Sequence, residues 1–493
     1  MGEEYVRTNG IFIDDRPYIY KFYAITRAKI MYKIGMLTEK ILKAFCSDKS
    51  NLGRIPHMAS RLKWLLVAES LFAGAYIALT RGLFLIFLVA MGHDVRGISF
   101  VILLSSLLSV IIGLALYKRP NFLVRKVKQK LSAFHLLERL TWFFIPLTSN
   151  LLVISLLYSL CIIFSSFIST FLTFTIYGLL PEEDIKEVTS KRTAAGNVSS
   201  IVGFALGTFL LAFLQTGEKF IYIFFLGAAV GILSTISVLL MDLSQLEGAE
   251  LPSGIKEPEK IFSTSMFFVI FLFAGNLLAI VWTPFLMVKL NGPEFLVASL
   301  NLAGTVSSIA ASLFWGKRSL KILRTGLILN VLSPILVLTI PIPFYHLGIS
   351  IYNSFAFTAA NFLGLFLFAK YNEWFGAVKS STLIIVIGNI AQFIAAVLGI
   401  ILSTNYLVTF LLIIALYVSA VVLAVMTVPE IAIVPEYLAR TYSRVLYRSS
   451  VFGYRVAVEI SKETIFMIFR LIALTIVFSA LYLIYRILWA LII

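Results

Sequence analysis

Charge is what this chain has least of: only 13% of its 493 residues are Asp, Glu, Lys or Arg, against about 25% in soluble domains. That scarcity excludes an ordinary water-soluble globule. Cysteine is nearly absent too. Cys46 and Cys161 lie far apart in unlike segments, so neither a disulfide framework nor a metal-binding spacing is available. The four histidines, His57, His93, His135 and His346, are scattered. No Ser-His-Asp order, phosphate-cradling loop or metal motif is present, so the expectation is no enzyme, no cofactor and no metal. A secretory leader is not expected either, because the chain opens Met1-Gly2-Glu3-Glu4 and its first long apolar run begins at Trp64.

What is present is hydrocarbon. Hydrophobic residues make up 60% of the chain, and mean hydropathy is +0.96. This is the composition of an all-α polytopic membrane protein. Twelve apolar segments are each long enough for the ~20 residues that cross ~30 Å of bilayer core. They fall near 62–91, 97–117, 131–148, 151–179, 192–214, 220–241, 263–288, 295–315, 322–340, 344–369, 380–402 and 406–427.

The formal net charge of +16 raises nucleic acid as a partner, but the distribution excludes it. Loops 118–130, 180–192, 242–262, 316–324 and 370–379 hold 17 Lys or Arg, whereas the six intervening loops hold only Arg96, Lys219 and Lys289. Alternation of this kind is topogenic. It places the basic loops and the amino terminus in the cytoplasm of a multi-pass cell-membrane protein.

Six regions follow. Residues 1–61 form a basic cytoplasmic segment in which Ile30, Ile34, Leu37, Ile41 and Phe45 make a helical apolar stripe among lysines. It suits a helix lying on anionic lipid, or one packed on the transmembrane body. Spans one to six (62–241) and seven to twelve (263–427) are two six-helix bundles. They are joined by a cytoplasmic linker, 242–262, containing Pro252, Gly254 and Pro258. Segment 428–463 is basic, with Arg440, Arg444 and Arg448 at helical spacing, and anionic lipid is again the expected partner. In 464–493, the uncharged run Leu471–Tyr485 between two arginines is the expected thirteenth span, with a helix lying in the interface as the alternative.

The two bundles echo each other. A stretch from Gly196-Asn197 to Leu206-Gly207 returns 192 residues later as Gly388-Asn389 to Leu398-Gly399. Ser105, Ser109, Gly113, Lys118 and Arg119 return 199 residues on as Gly304, Ser308, Ser312, Lys317 and Arg318. Both echoes run in parallel order, the mark of a duplicated transporter with its site between the halves. The small residues form ladders on spans two, five, eight and eleven, a spacing that lets helix backbones approach closely in lipid.

On these residues the chain resembles the major facilitator superfamily over roughly 62–427. The best stretch is Tyr177-Gly178-Leu179-Leu180-Pro181-Glu182-Glu183, then Ser190-Lys191-Arg192, then the Gly196-Asn197 ladder. The resemblance implies that spans two, five, eight and eleven form a rocking seam and that spans one, four, seven and ten line a cavity. On that pattern all four ladders fall on the seam. The sequence departs from the family after span two. There Lys118-Arg119-Pro120 lacks the usual acidic residue, as does its second-half copy Lys317-Arg318. Glu182, Glu183 and Asp184 are the candidate substitutes.

Charges inside membranes are costly and by default functional. Span one carries Glu69, ~12 Å from its cytoplasmic end, and Arg81, ~30 Å from it, at 1.5 Å per residue. Span three carries Glu138 and Arg139, at a depth that permits a Glu69–Arg139 pair. Glu69 is the candidate proton-coupling acid, with a structural ion pair as the alternative. Arg81 is the candidate anion contact, with outward snorkelling as the alternative. The remaining candidate substrate contacts are polar or aromatic: Tyr76 on span one, Thr170 and Thr173 on span four, Asn276, Trp282 and Thr283 on span seven, and Asn353, Phe357 and Asn361 on span ten. The reading is a monomeric secondary active transporter that moves a small or amphipathic solute by alternating access. The alternatives are a lipid-linked saccharide flippase and a non-transporting scaffold or sensor with a transporter-like body.

Overall fold

A computed structural model describes residues 57–452, apart from 119–121, 123, 181, 215–217, 248–257, 370–371 and 404. Met1–Arg61 form a unit apart from the body Leu62–Ile493. The amphipathic stripe of 30–45 and the thirteenth span expected in 464–493 lie outside the described residues.

Twelve helices of membrane length run through the described residues. The first, α1, is interrupted: His57–Leu79, a 3-10 turn Arg81–Leu83, then Phe84–Ala90. The others are α2 Val95–Lys118, α3 Val127–Phe144, α4 Leu151–Leu179, α5 Glu182–Phe213, α6 Lys219–Leu239, α7 Pro258–Pro284, α8 Glu294–Trp315, α9 Leu320–Thr339, α10 His346–Ala369, α11 Asn372–Ile401 and α12 Tyr406–Thr427. Eleven are apolar enough to cross a bilayer by composition. The exception is α3, only 18 residues long, which carries Lys128, Lys130, Glu138 and Arg139. It holds its place by turning Glu138 and Arg139 inward, where they are 3% and 2% exposed. At its start, the Glu247 carboxylate accepts the backbone N–H groups of Lys126 and Val127 at 2.7 and 2.8 Å. The head of the 242–262 connector thus caps α3.

Two helices break at corresponding places. Thr80 leaves helical geometry at φ −106°, ψ −86°, and its hydroxyl donates to the Tyr76 carbonyl at 2.7 Å. The Gly82 carbonyl freed by this turn accepts from Asn301 Nδ2 at 2.8 Å, which meets the requirement that broken backbone inside a membrane find another partner. In the second half, α7 reaches Pro284, which has no N–H, and continues as a π turn, Phe285–Lys289.

The halves meet where α2 and α4 pack on α11, and where α5 packs on α8. The ladders divide between two uses. On the α2–α11 seam, a Cβ on Gly113 would stand 2.6 Å from the Val386 side chain, and one on Gly399 would strike Ser99 Oγ. The α5 ladder faces α1 within its own half. A Cβ on Gly196 would lie 2.9 Å from Ser70 Oγ, one on Gly203 2.8 Å from the Ala75 carbonyl, and one on Gly207 2.7 Å from Leu83. Gly304 of α8 likewise packs on Ser350 and Ser354 of α10. The expectation that the four ladders lie at the seam is thus refined: α5 and α8 do meet there, but their glycines draw them against α1 and α10 inside each half, where long side chains would block equally close packing.

Candidate substrate cavity

A cavity of about 530 Å³ lies between the halves. The α1 turn brings Arg81 and Gly82 to it, and α5 contributes Asn197, Ser200 and Phe204. From the second half come Trp282 and Thr283 of α7, Asn301, Gly304, Thr305 and Ser308 of α8, and Ser350, Asn353 and Ser354 of α10. Both interrupted helices reach its wall, through Gly82 in one half and Leu286 in the other.

Several polar groups are fixed by neighbours. Trp282 Nε1 donates to His346 Nδ1 at 3.0 Å, so that nitrogen is bare and the proton sits on Nε2, which donates to the Ile340 carbonyl at 2.9 Å. This holds the indole against the cavity. Ser200 donates to the Gly74 carbonyl at 3.1 Å, and Ser350 to the Leu300 carbonyl at 2.7 Å. Two buried polar atoms on lining residues have no hydrogen-bond partner: Asn353 Oδ1 and Arg81 Nε.

Arg81 is the one charged residue among those lining the cavity. Its guanidinium lies 3.3 Å from Glu138, which also pairs with Arg139. Arg139 donates to Ser234 at 3.1 Å and lies over the Tyr76 ring, 4.6 Å from its centroid. Gly231 makes room for this stack, because a Cβ there would meet the Arg139 stem at 2.7 Å and Tyr76 at 2.8 Å.

Glu69 is 2.7 Å from Arg192, in place of the Glu69–Arg139 pair that their depths permitted. The reason is α5, which begins at Glu182, ten residues before the expected span. Its Gly196 packs directly on α1, which sets Arg192 beside Glu69. Arg192 Nε donates to the Leu66 carbonyl at 3.1 Å, and Ser70 returns a bond to the Arg192 carbonyl at 2.8 Å. Asp184 pairs with Lys63 at 2.6 Å; Arg119 and Pro120 of the basic element after α2 lie outside the described residues.

Of the expected substrate contacts, Arg81, Trp282, Thr283 and Asn353 come together on the cavity wall. The others lie elsewhere. Tyr76 is buried under Arg139. Thr170 and Thr173 donate to carbonyls one turn back on α4, and Phe357 stacks on Phe271 at 5.1 Å in the aromatic core. Asn276 and Asn361 are half-buried away from the lining. Sequence reasoning passed over Asn197 and Asn301. The first was in view, as the residue after glycine in the repeated motif. Asn301 carried no signal, since its use depends on a turn in a different half. Ser200, Gly304 and Ser308 were assigned to packing alone, yet they line the cavity as well.

No family model matches the chain, and no curated protein matches it. Solved structures do. A crystal structure of the nucleoside transporter NupG superposes with a TM-score of 0.54 at 14% identity, covering 74% of this chain and 98% of that one. A bacterial homolog of the human lysosomal transporter Spinster, captured inward-facing and occupied, superposes with a TM-score of 0.52 at 12% identity. It covers 75% of this chain and 97% of that one. At such identities the likeness establishes the fold alone, the helical arrangement shared with those two transporters.

Proposed function

We propose, from this shared fold and from the cavity, that the chain is a secondary transporter moving a small or amphipathic solute by alternating access. The observation that carries the reading is a chamber whose walls belong to both halves, so that rocking one half against the other remakes its opening. At about 530 Å³ it falls within the ~300–1,000 Å³ of small-molecule sites. The paired breaks in α1 and α7 support the same place, since interrupted helices at matching positions of two repeats mark transport sites. A lipid-linked saccharide flippase would need several cations along the chamber; Arg81 stands alone among the lining residues.

In this reading Arg81, Asn197, Trp282, Thr283, Asn301 and Asn353 contact the solute. Glu69 remains the candidate proton-coupling acid, and to act it must part from Arg192 during the cycle. The basic loops, and the amino terminus with them, face the cytoplasm, and the basic tails meet anionic lipid.

The test is counterflow in liposomes with solutes selected by thermal stabilisation of the purified protein. Trp282→Ala and Asn353→Ala are expected to abolish exchange while leaving the purified protein monodisperse; full exchange in both removes the cavity from the pathway. Under an imposed pH gradient, Glu69→Gln is expected to uncouple uptake from protons, and an unchanged dependence eliminates Glu69 from coupling.

A further inference from the structure

We infer that the solute is a monoanion, with its acidic group received by Arg81. This deepens the transport reading and rests on it. The inference starts from a charge count between α1, α3, α5 and α6. Among the described residues three guanidiniums lie there, on Arg81, Arg139 and Arg192, and they pair with two carboxylates, on Glu69 and Glu138. Glu69 is taken by Arg192, so Arg81 and Arg139 share the single charge of Glu138.

One positive charge is left over. A cation only half neutralised by its carboxylate favours a further anion wherever it can be reached. Geometry says where that anion belongs. Arg139 is sealed in at 2% side-chain exposure, whereas Arg81 is 32% exposed. Arg81 also holds Glu138 at 3.3 Å, long for a charge-assisted bond, and its buried Nε has no acceptor at all. A carboxylate or a singly charged phosphoester in the cavity can pair with the exposed part of this guanidinium. Glu138 then belongs to Arg139 alone, and the count closes. The opposite wall is neutral, and Asn353 Oδ1 waits there without a donor.

Trp282 reports on the same chamber. Its fluorescence is isolated as the difference between the full-length protein and Trp282→Phe, then quenched with iodide and separately with caesium. Each is normalised to N-acetyltryptophanamide in water. The expected iodide-to-caesium ratio is well above one, because a positive charge on the chamber wall enriches the anion and depletes the cation together. Arg81→Gln is expected to bring it to one, and Arg81→Lys to preserve it. A ratio at or below one, or one unchanged in Arg81→Gln, overturns the inference. Counterflow separates this outcome from failure of the transport reading. Exchange of neutral solutes by Arg81→Gln at the unmodified protein's rate overturns the monoanion alone. Iodide enrichment with no exchange of any solute counts against transport alone.

Discussion

A carboxylate 3% exposed beside a guanidinium has no inexpensive way to lose its partner. Glu69→Gln leaves Arg192 facing a neutral amide, and because Arg192 is 19% exposed, water screens part of the cost. A loss of about 2 kcal/mol is expected, below the ~3–5 of a fully buried pair, read as a lower melting temperature in detergent. Glu69→Gln combined with Arg192→Met is expected to recover most of it, since removing both charges removes the unpaired one. Asn301 is a gentler case. Asn301→Ala frees the Gly82 carbonyl, which is expected to cost about 1 kcal/mol, the scale of hydrogen bonds between membrane helices, and to reduce exchange in liposomes beyond that.

Gly74 sets the contact between α1 and α5. A Cβ there would meet the carbonyl of Gly196, which is backbone and has nowhere to turn. Gly74→Ala is expected to lower stability by about 2–3 kcal/mol, as overpacking does; the equivalent change at Gly388, with nothing within 4 Å of its Cβ position, is expected to be neutral. Parallel melting curves of the two variants decide it. This contrast also shows how far elements could be read in advance. The helices were legible because an apolar run of membrane length has one stable form in lipid. The starts of α5 and α11 were not, because each opens on polar and charged residues, Glu182-Glu183-Asp184 and Asn372-Glu373, ahead of its apolar run. The repeat identified Gly196 and Gly388 as equivalent letters, but a one-dimensional pattern does not say which face a neighbour occupies. Arg81 and Trp282 could be anticipated from depth and residue type. Tyr76, on α1 with Arg81, and Phe357, on α10 with Asn353, face the packed interior, a matter of rotation about each helix axis that residue type does not reveal.

Across the whole molecule, the halves are tied at the end where α6 and α8 begin. Lys219 of one half pairs with Glu294 of the other at 2.5 Å, and Asn301 ties to Gly82 in the same direction. If that end must open during transport, reversing one charge, as in Lys219→Glu, is expected to weaken closure and slow exchange severalfold; adding Glu294→Lys is expected to restore it. Equal rates in single and double variants would assign the pair no part in closure. The duplication itself was visible in the sequence, while the uneven burden of the halves was not. In the described residues, the buried ion pairs gather in the first half, between α1, α3 and α5. That concentration has a consequence at the ribosome. With ~2.5–3.5 kcal/mol opposing each arginine or lysine at mid-membrane, α3 has little reason to leave the translocon for lipid by itself. It depends on α1 to deliver Arg81 and on α6 to deliver Ser234. Nascent chains arrested after α3 should therefore leave it outside the bilayer, and chains released after α6 should bring it in. A glycosylation acceptor placed behind α3 distinguishes the two. The biosynthesis of this protein is ordered by the same residues that give its chamber a charge.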